Sequence, residues 1–410
     1  MSRTPFKRAR TSRRIAVAVS LSLAALLFAA APVGACSWDY SIWMPRHKNA
    51  DALYRFIRGD KAGYIDRTGK VVVEPKFEPR GNYGGEFHDG LAEVGVDSGE
   101  YVDSTGKALD FGLSNGWAFS DGLAASFDEG AGKWGFIDRT GKFAISPRFD
   151  GHPKGYVSSF SEGLAWINVS GKYGFIDRSG EFVVAPTFLR GEDFSDGMAL
   201  VVLEGPCRYV ERGAGCVGSQ VIGGDGVTSE APRCKVTFVD SHGSVLEGRF
   251  DAAKDFSEGL APFMKDGKWG YIDKSGRVRI EPRFDDAWPF ESGRARVLQD
   301  GLYGYIDERG EFAVKPRFED ADDFSDGRAV VAYKELDDDA RHTFYYIDRD
   351  GRAAIRGPFY VASHFFKGLA HVEFKPSKRE ESGYTWRKRR FAYIDAKGKT
   401  VFAYEYEVGD

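Results

Sequence analysis

The sequence predicts an all-β fold, a tandem array of about nine three-stranded β-meander units, and three observations carry that prediction. The tripeptide aromatic–aliphatic–Asp recurs nine times in 410 residues, ending at Asp66, Asp103, Asp138, Asp177, Asp240, Asp273, Asp307, Asp348 and Asp395. A Phe-x-x-Gly signature falls between these copies eight times, from Phe87–Gly90 to Phe365–Gly368. With 50 Gly, 14% aromatic residues and only 4 Met, the composition suits short strands and tight turns better than helices. Self-similarity at a spacing mostly of 33 to 41 residues marks a repeat architecture.

Each unit can be read strand by strand. Strand A follows the Phe-x-x-Gly signature, as in Leu164–Val169, and its second residue is always alanine: Ala92, Ala124, Ala165, Ala199, Ala261, Ala295, Ala329 and Ala370. A residue held so strictly predicts close packing. Strand B is the WGYID segment of the copy KWGYIDKSGRVRIEPRFDDA, Lys268 to Ala287. Strand C places apolar residues two and four positions after the turn glycine: Val71 and Val73, Phe143 and Ile145, Phe182 and Val184, Val278 and Ile280, Phe312 and Val314. A period of two predicts one buried face.

The Asp-x-x-Gly between B and C reads as turn chemistry. An Asp carboxylate (Asp66, Asp138, Asp177, Asp273, Asp307) accepts turn amides, and Gly (Gly69, Gly141, Gly180, Gly276, Gly310) supplies a positive φ. Pro75, Pro147, Pro186, Pro282 and Pro316 are expected to end strand C, because proline cannot donate to a ladder. Gly63, Gly135, Gly174, Gly270 and Gly304 are expected to make room for a ring from a neighbouring strand.

With these motifs the chain resembles the WG-repeat (KWG repeat) family of bacterial proteins, over about residues 52–404. The resemblance implies tandem β-repeats, often on exported proteins, and brings no catalytic residues. Two copies depart from the pattern and are expected to be distorted: the Asp103 unit has Glu100-Tyr101 in place of Trp-Gly-Tyr, and the Asp348 unit lacks the glycine. Nine lean units, with neither terminus completing the other's sheet, favour an open twisted solenoid over propeller-like closure. Cys36–Trp43 and Phe402–Glu407 would then be aromatic end caps.

Residues 1–35 read as a secretory signal peptide: a basic segment ending at Arg14, an apolar run Ile15–Ala31, and small residues before Cys36. Arg13-Arg14 lacks the pattern of a twin-arginine signal, so Sec export is expected, and the apolar run is short for a membrane span. Residues 36–51 form an N-terminal cap segment and 52–410 the array, interrupted by a Cys/Gly-rich insertion at 203–235. Cys36 has two readings. Val33-Gly34-Ala35-Cys36 resembles a lipoprotein box, whereas the four cysteines, Cys36, Cys207, Cys216 and Cys234, could form two disulfides. Intact mass separates the two.

Removing the leader's six basic residues from the 57 leaves 51 against 61 acids, a net charge of −10 that argues against nucleic acid as the partner. Seven scattered histidines occupy no common repeat position. No nucleophile elbow, metal-ligand motif or phosphate-cradling loop is found, so no catalytic, cofactor-binding or metal residue is assigned and no cofactor is expected. Asp285-Asp286 and Asp322-Asp323 read as solvated turn residues, since calcium loops space their oxygens more regularly. The insertion is a tolerated surface loop or a partner contact. The expected function is a non-catalytic binding scaffold of the bacterial cell envelope with a protein partner. The alternative is glycan or cell-wall binding, which would need Trp134, Tyr173, Trp269 and Tyr303 exposed and stacked.

Overall fold

The computed structural model describes residues 51–77, 85–94, 100–112, 117–150, 158–204, 235–332, 343–374 and 387–408. All four cysteines, the leader, residues 36–50 and nearly all of the insertion lie outside these residues. Every regular element among the described residues is a β-strand, and every ladder is antiparallel between sequence neighbours. The nine units are numbered 1 to 9 by their turn aspartates, from Asp66 to Asp395.

Unit 4 shows the plan. Strand A, Leu164–Val169, pairs in full register with strand B, Lys172–Asp177, which pairs with strand C, Phe182–Phe188. A short lead strand, not foreseen from the sequence, precedes strand A in several units: Phe87–His88, Arg190–Gly191, Ala252–Ala253, Asp286–Glu291 and Asp320–Ala321. Phe-x-x-Gly is the hairpin joining lead strand to strand A. In unit 3, Ser120 and Leu123 exchange both backbone hydrogen bonds across Asp121 (φ 52) and Gly122 (φ 81). Positive φ at both central residues is the type I′ geometry that matches strand twist, and Asp-Gly is its preferred pair. Units 2, 6 and 7 are thus four-stranded, and units 8 and 9 merge into one seven-stranded sheet.

Strand C does not stop at its proline. It runs Val278–Phe284 in unit 6, through Pro282. Tyr271 pairs with Ile280 and Trp269 with Phe284, so four steps along C oppose two along B. Proline sits in the resulting bulge, where its missing N–H costs no ladder bond. The bulge explains the glycine of WG as well. A Cβ on Gly270 would lie 2.4 Å from the Ile280 carbonyl oxygen and 2.6 Å from the Pro282 nitrogen. Backbone, not a neighbouring ring, demands glycine here. Unit 8 carries Tyr345 at this position and keeps the same bulge by moving the glycine across: a Cβ on Gly357 of strand C would lie 2.6 Å from the Phe344 carbonyl oxygen. We expect Gly270→Ala to cost about 3 kcal/mol in denaturant unfolding. Gly267→Asn, in an open turn with φ +76 and nothing within 4 Å, should change stability little.

The irregular register also breaks the alternation expected for strand C. The later residue of each pair is buried, as Val73 (1% exposed) and Ile280 (3%), whereas Phe182 (43%) and Val278 (44%) are exposed. All eight strand A alanines are buried, each opposite the aliphatic residue of its own aromatic–aliphatic–Asp, as Ala165 is opposite Ile176.

Neighbouring units interlock by one repeated contact. The central aromatic of strand B meets the Phe of the next Phe-x-x-Gly edge to face, as in Tyr64–Phe87, Phe136–Phe160, Tyr271–Phe290 and Tyr346–Phe365, with ring centroids 4.7 to 5.2 Å apart. In four units that aromatic is a Tyr whose hydroxyl donates to backbone of the next unit: Tyr101 to the Trp117 carbonyl, Tyr271 to Trp288, Tyr305 to Asp322, Tyr346 to Ser363.

A different aromatic contact, made by a ring at the strand A alanine position, joins unit 9 to unit 1. Tyr393 lies 5.5 Å from Tyr54 and donates to the Arg55 carbonyl, while Tyr54 donates to the carbonyls of Phe366 and Lys367. The turn glycine of most units rests on strand C of the preceding one, as Gly180 does on Ile145 and Gly310 on Ile280, and Gly69 of unit 1 rests on Val401 of unit 9. The array is therefore closed, and the open solenoid is not what forms. No strand is exchanged across the seam among the described residues; whole units pack face to face. Phe402 and Tyr404, expected to cap an open end, instead meet Phe56 of unit 1 at 4.9 and 6.1 Å.

Candidate functional site

The repeated acids are the first place to look for chemistry, and each serves its own bend. Asp273 accepts the amides of Ser275 (2.9 Å) and Arg277 (3.1 Å), and Gly276 follows with φ 80. The same pair of bonds forms at all nine turn aspartates, Asp66, Asp138, Asp177 and Asp307 among them. Gly69, Gly141, Gly180, Gly276 and Gly310 all take positive φ. The Thr68 hydroxyl and the turn amides hold the Asp66 carboxyl below its ordinary range, and Ser275 does the same for Asp273. These carboxylates do not converge, and no group of three metal-ligating side chains occurs among the described residues.

One acid of each pair is not the solvated turn residue expected. Asp286 is buried and binds the Lys254 ammonium at 2.7 Å, and Asp323 lies 3.0 Å from Nε of Arg296. These two cations bracket Trp288, Lys254 at 4.1 Å and Arg296 at 4.2 Å from the ring centroid. Lys254 also sits 4.7 Å over Trp269, and Arg296 is 5.6 Å from Tyr303. The result is a ladder of alternating rings and cations across units 6 and 7, tied to unit 8 by Asp323. Burial lowers the Lys254 pKa against the pull of Asp286. Sequence reasoning missed Lys254, Trp288 and Arg296, because they occupy variable repeat positions.

Of the rings proposed for glycan stacking, Trp134 is fully buried against Phe127. The others are half-buried on partners of the same chain: Tyr173 beside Trp166, Trp269 under Lys254, Tyr303 beside Trp288. At the seam, His371 is 1% exposed, stacked on Tyr393 at 4.6 Å and hydrogen-bonded through Nε2 to the Tyr404 hydroxyl at 2.9 Å. Burial, with Arg55 nearby, pulls its pKa down to about 3.

The WG containing repeat matches this chain six times, at residues 63–98, 134–173, 173–205, 240–269, 269–303 and 303–335. No curated protein matches the sequence. The chain is similar to a crystal structure of the eukaryotic initiation factor at 10% identity and a TM-score of 0.54, covering 87% of this chain and 96% of that one. It is also similar to BamB from Moraxella catarrhalis at 11% identity and a TM-score of 0.33, covering 68% and 91% of the two chains. The first likeness is one of fold alone. With repeat matches reaching from residue 63 to residue 335, over units that share one turn and one ring junction, this chain belongs to the WG-repeat family.

Proposed function

We propose that this repeat protein is a non-catalytic interaction scaffold, exported through residues 1–35 to the periplasm or cell envelope, or secreted. Cys36 would be the first mature residue, as a lipid anchor or a disulfide partner. The observation that carries the reading is the use of the repeated side chains within the fold. Each turn aspartate is bonded to its own turn, and the aromatic rings face one another or internal cations. What the array offers outward is a closed series of similar turns, a surface suited to a protein partner of some size. Glycan recognition would need open ring faces, which Trp134 and Trp269 lack. A pull-down from the envelope fraction, with residues 36–410 as bait, tests the reading. Retention of a protein partner is the expected result. Retention on peptidoglycan or on a glycan array, with no protein captured, would sink it.

A further inference from the structure

Besides ring packing, a second contact links the units. The acid of one Phe-x-Asp/Glu-Gly turn accepts the glycine N–H of the next unit's turn. Asp89 takes Gly122, Asp121 takes Gly163, Glu258 takes Gly293 and Asp326 takes Gly368, at 2.6 to 2.8 Å. Seven of the nine junctions carry this bond among the described residues. It is a charge-assisted hydrogen bond that the fold makes repeatedly, so it records what the turn glycine binds.

Two junctions lack it. At the seam, Lys367 and Ala52 stand in the places of acid and glycine, and the Tyr54 hydroxyl bonds that turn instead. Between units 7 and 8, Ser292 replaces the acid and nothing takes over. The turn backbone is kept, with φ 57 at Ser292 and 73 at Gly327, yet the Gly327 N–H has no acceptor among the described residues. The space beside Gly327 is open, since an added Cβ would meet nothing within 4 Å.

The flanking residues change in the same two units. The position after the turn glycine is a buried apolar residue in units 2 to 6 and 9, as Leu123, Leu164, Leu260 and Leu369. Here it is Arg294 in unit 7 and Arg328 in unit 8, both half-buried. Arg294 donates to the carbonyls of Arg349 and Gly293, and Arg328 to that of Gly327. Neither has a carboxylate partner among the described residues, and Nε of Arg328 is buried without an acceptor. Three departures from the repeat thus coincide: a lost acid, an open amide and two added cations.

We propose that this junction binds an acidic side chain of a partner protein, whose carboxylate takes the place of the missing turn acid on Gly327 N–H between Arg294 and Arg328. The proposal rests on the protein-binding reading above and gives it a location and a partner chemistry. Fluorescein-labelled hexaglutamate is the probe, titrated into the full mature chain and followed by anisotropy. Ser292→Asp restores the repeat's own acid at a backbone position where Asp is well tolerated. It should weaken the probe about tenfold or more while raising Tm. Arg328→Leu, the residue most other units carry, should weaken the probe to a similar degree in a folded chain. Binding unchanged in Ser292→Asp, or no binding at all, overturns the site. So does displacement by inorganic phosphate as readily as by free glutamate. If envelope partners are captured equally by wild type and Ser292→Asp, this site is wrong and the scaffold stands. If the probe binds as expected but no partner is captured, the carboxylate site stands and the scaffold reading falls.

Discussion

Replacing Tyr393 by alanine should open the closed array at its seam. The ring is fully buried, contacts Tyr54 and His371, and donates its hydroxyl to the Arg55 carbonyl. Losing such a side chain costs about 4 kcal/mol on packing grounds. The consequence is larger here than at other junctions, because units 1 and 9 are joined only by non-covalent contacts. Once those fail, the ends separate and regain the entropy that closure removed. Tyr271→Ala is the control. Tyr271, at the equivalent strand B position, contacts Phe290 and the Trp288 carbonyl, but units 6 and 7 remain tethered by the chain. Both variants should melt earlier than wild type. Only Tyr393→Ala should show a larger radius of gyration by small-angle scattering under native conditions. An unchanged radius in that variant would mean that the seam does not hold the array closed.

How much of this was legible in the sequence follows from which residues repeat. The unit count, the Asp-x-x-Gly turn and the packed alanine were readable because each recurs at fixed spacing and has a local cause. The purpose of the WG glycine was not, because its cause is a bulge on the partner strand. A proline inside a strand reads as a stop until the register is known. Closure was hidden for the opposite reason. The seam is built from residues that depart from the pattern: Tyr54 where other units have alanine, Lys367 where all but one of them have an acid, Ala52 where they have glycine. Comparing repeats shows those positions as noise. The links between turns, such as Asp121 to Gly163, were invisible because donor and acceptor each look like ordinary type I′ turn residues. The ladder of Lys254, Trp288 and Arg296 belongs to single units, so periodicity gives it no signal. Ser292, Arg294 and Arg328 become informative only once the repeated bond they interrupt has been seen.

Acid should loosen the seam before it reaches the turns, and His371 is the reason. Its folded pKa is about 3, against an ordinary value near 6.5, so the imidazole is neutral in the closed array and takes up a proton on unfolding. Between those values the unfolded chain binds the extra proton, so stability is lost as pH falls from about 6.5 toward 3. The turn aspartates Asp66, Asp103, Asp138, Asp177, Asp240, Asp273 and Asp307 act in the same direction but later. Their folded pKa values lie below the ordinary carboxylate range, so their contribution is lost only on further acidification through about pH 4. Over pH 7 to 5 the histidine accounts for an expected loss of about 2 kcal/mol, while the buried Asp323 carboxyl, pushed up to about 6, takes up its proton in the folded chain and works in the opposite direction. His371→Phe keeps a ring to stack on Phe391, Tyr393 and Tyr404 and removes the titrating group. Its urea midpoint should fall less over that interval than the wild-type midpoint, since Asp323 titrates alike in both proteins and the difference belongs to the histidine. Equal slopes in the two proteins would place the acid sensitivity elsewhere. A scattering radius that grows at pH 5 in wild type, and not in His371→Phe, would tie that sensitivity to opening of the seam rather than to general unfolding.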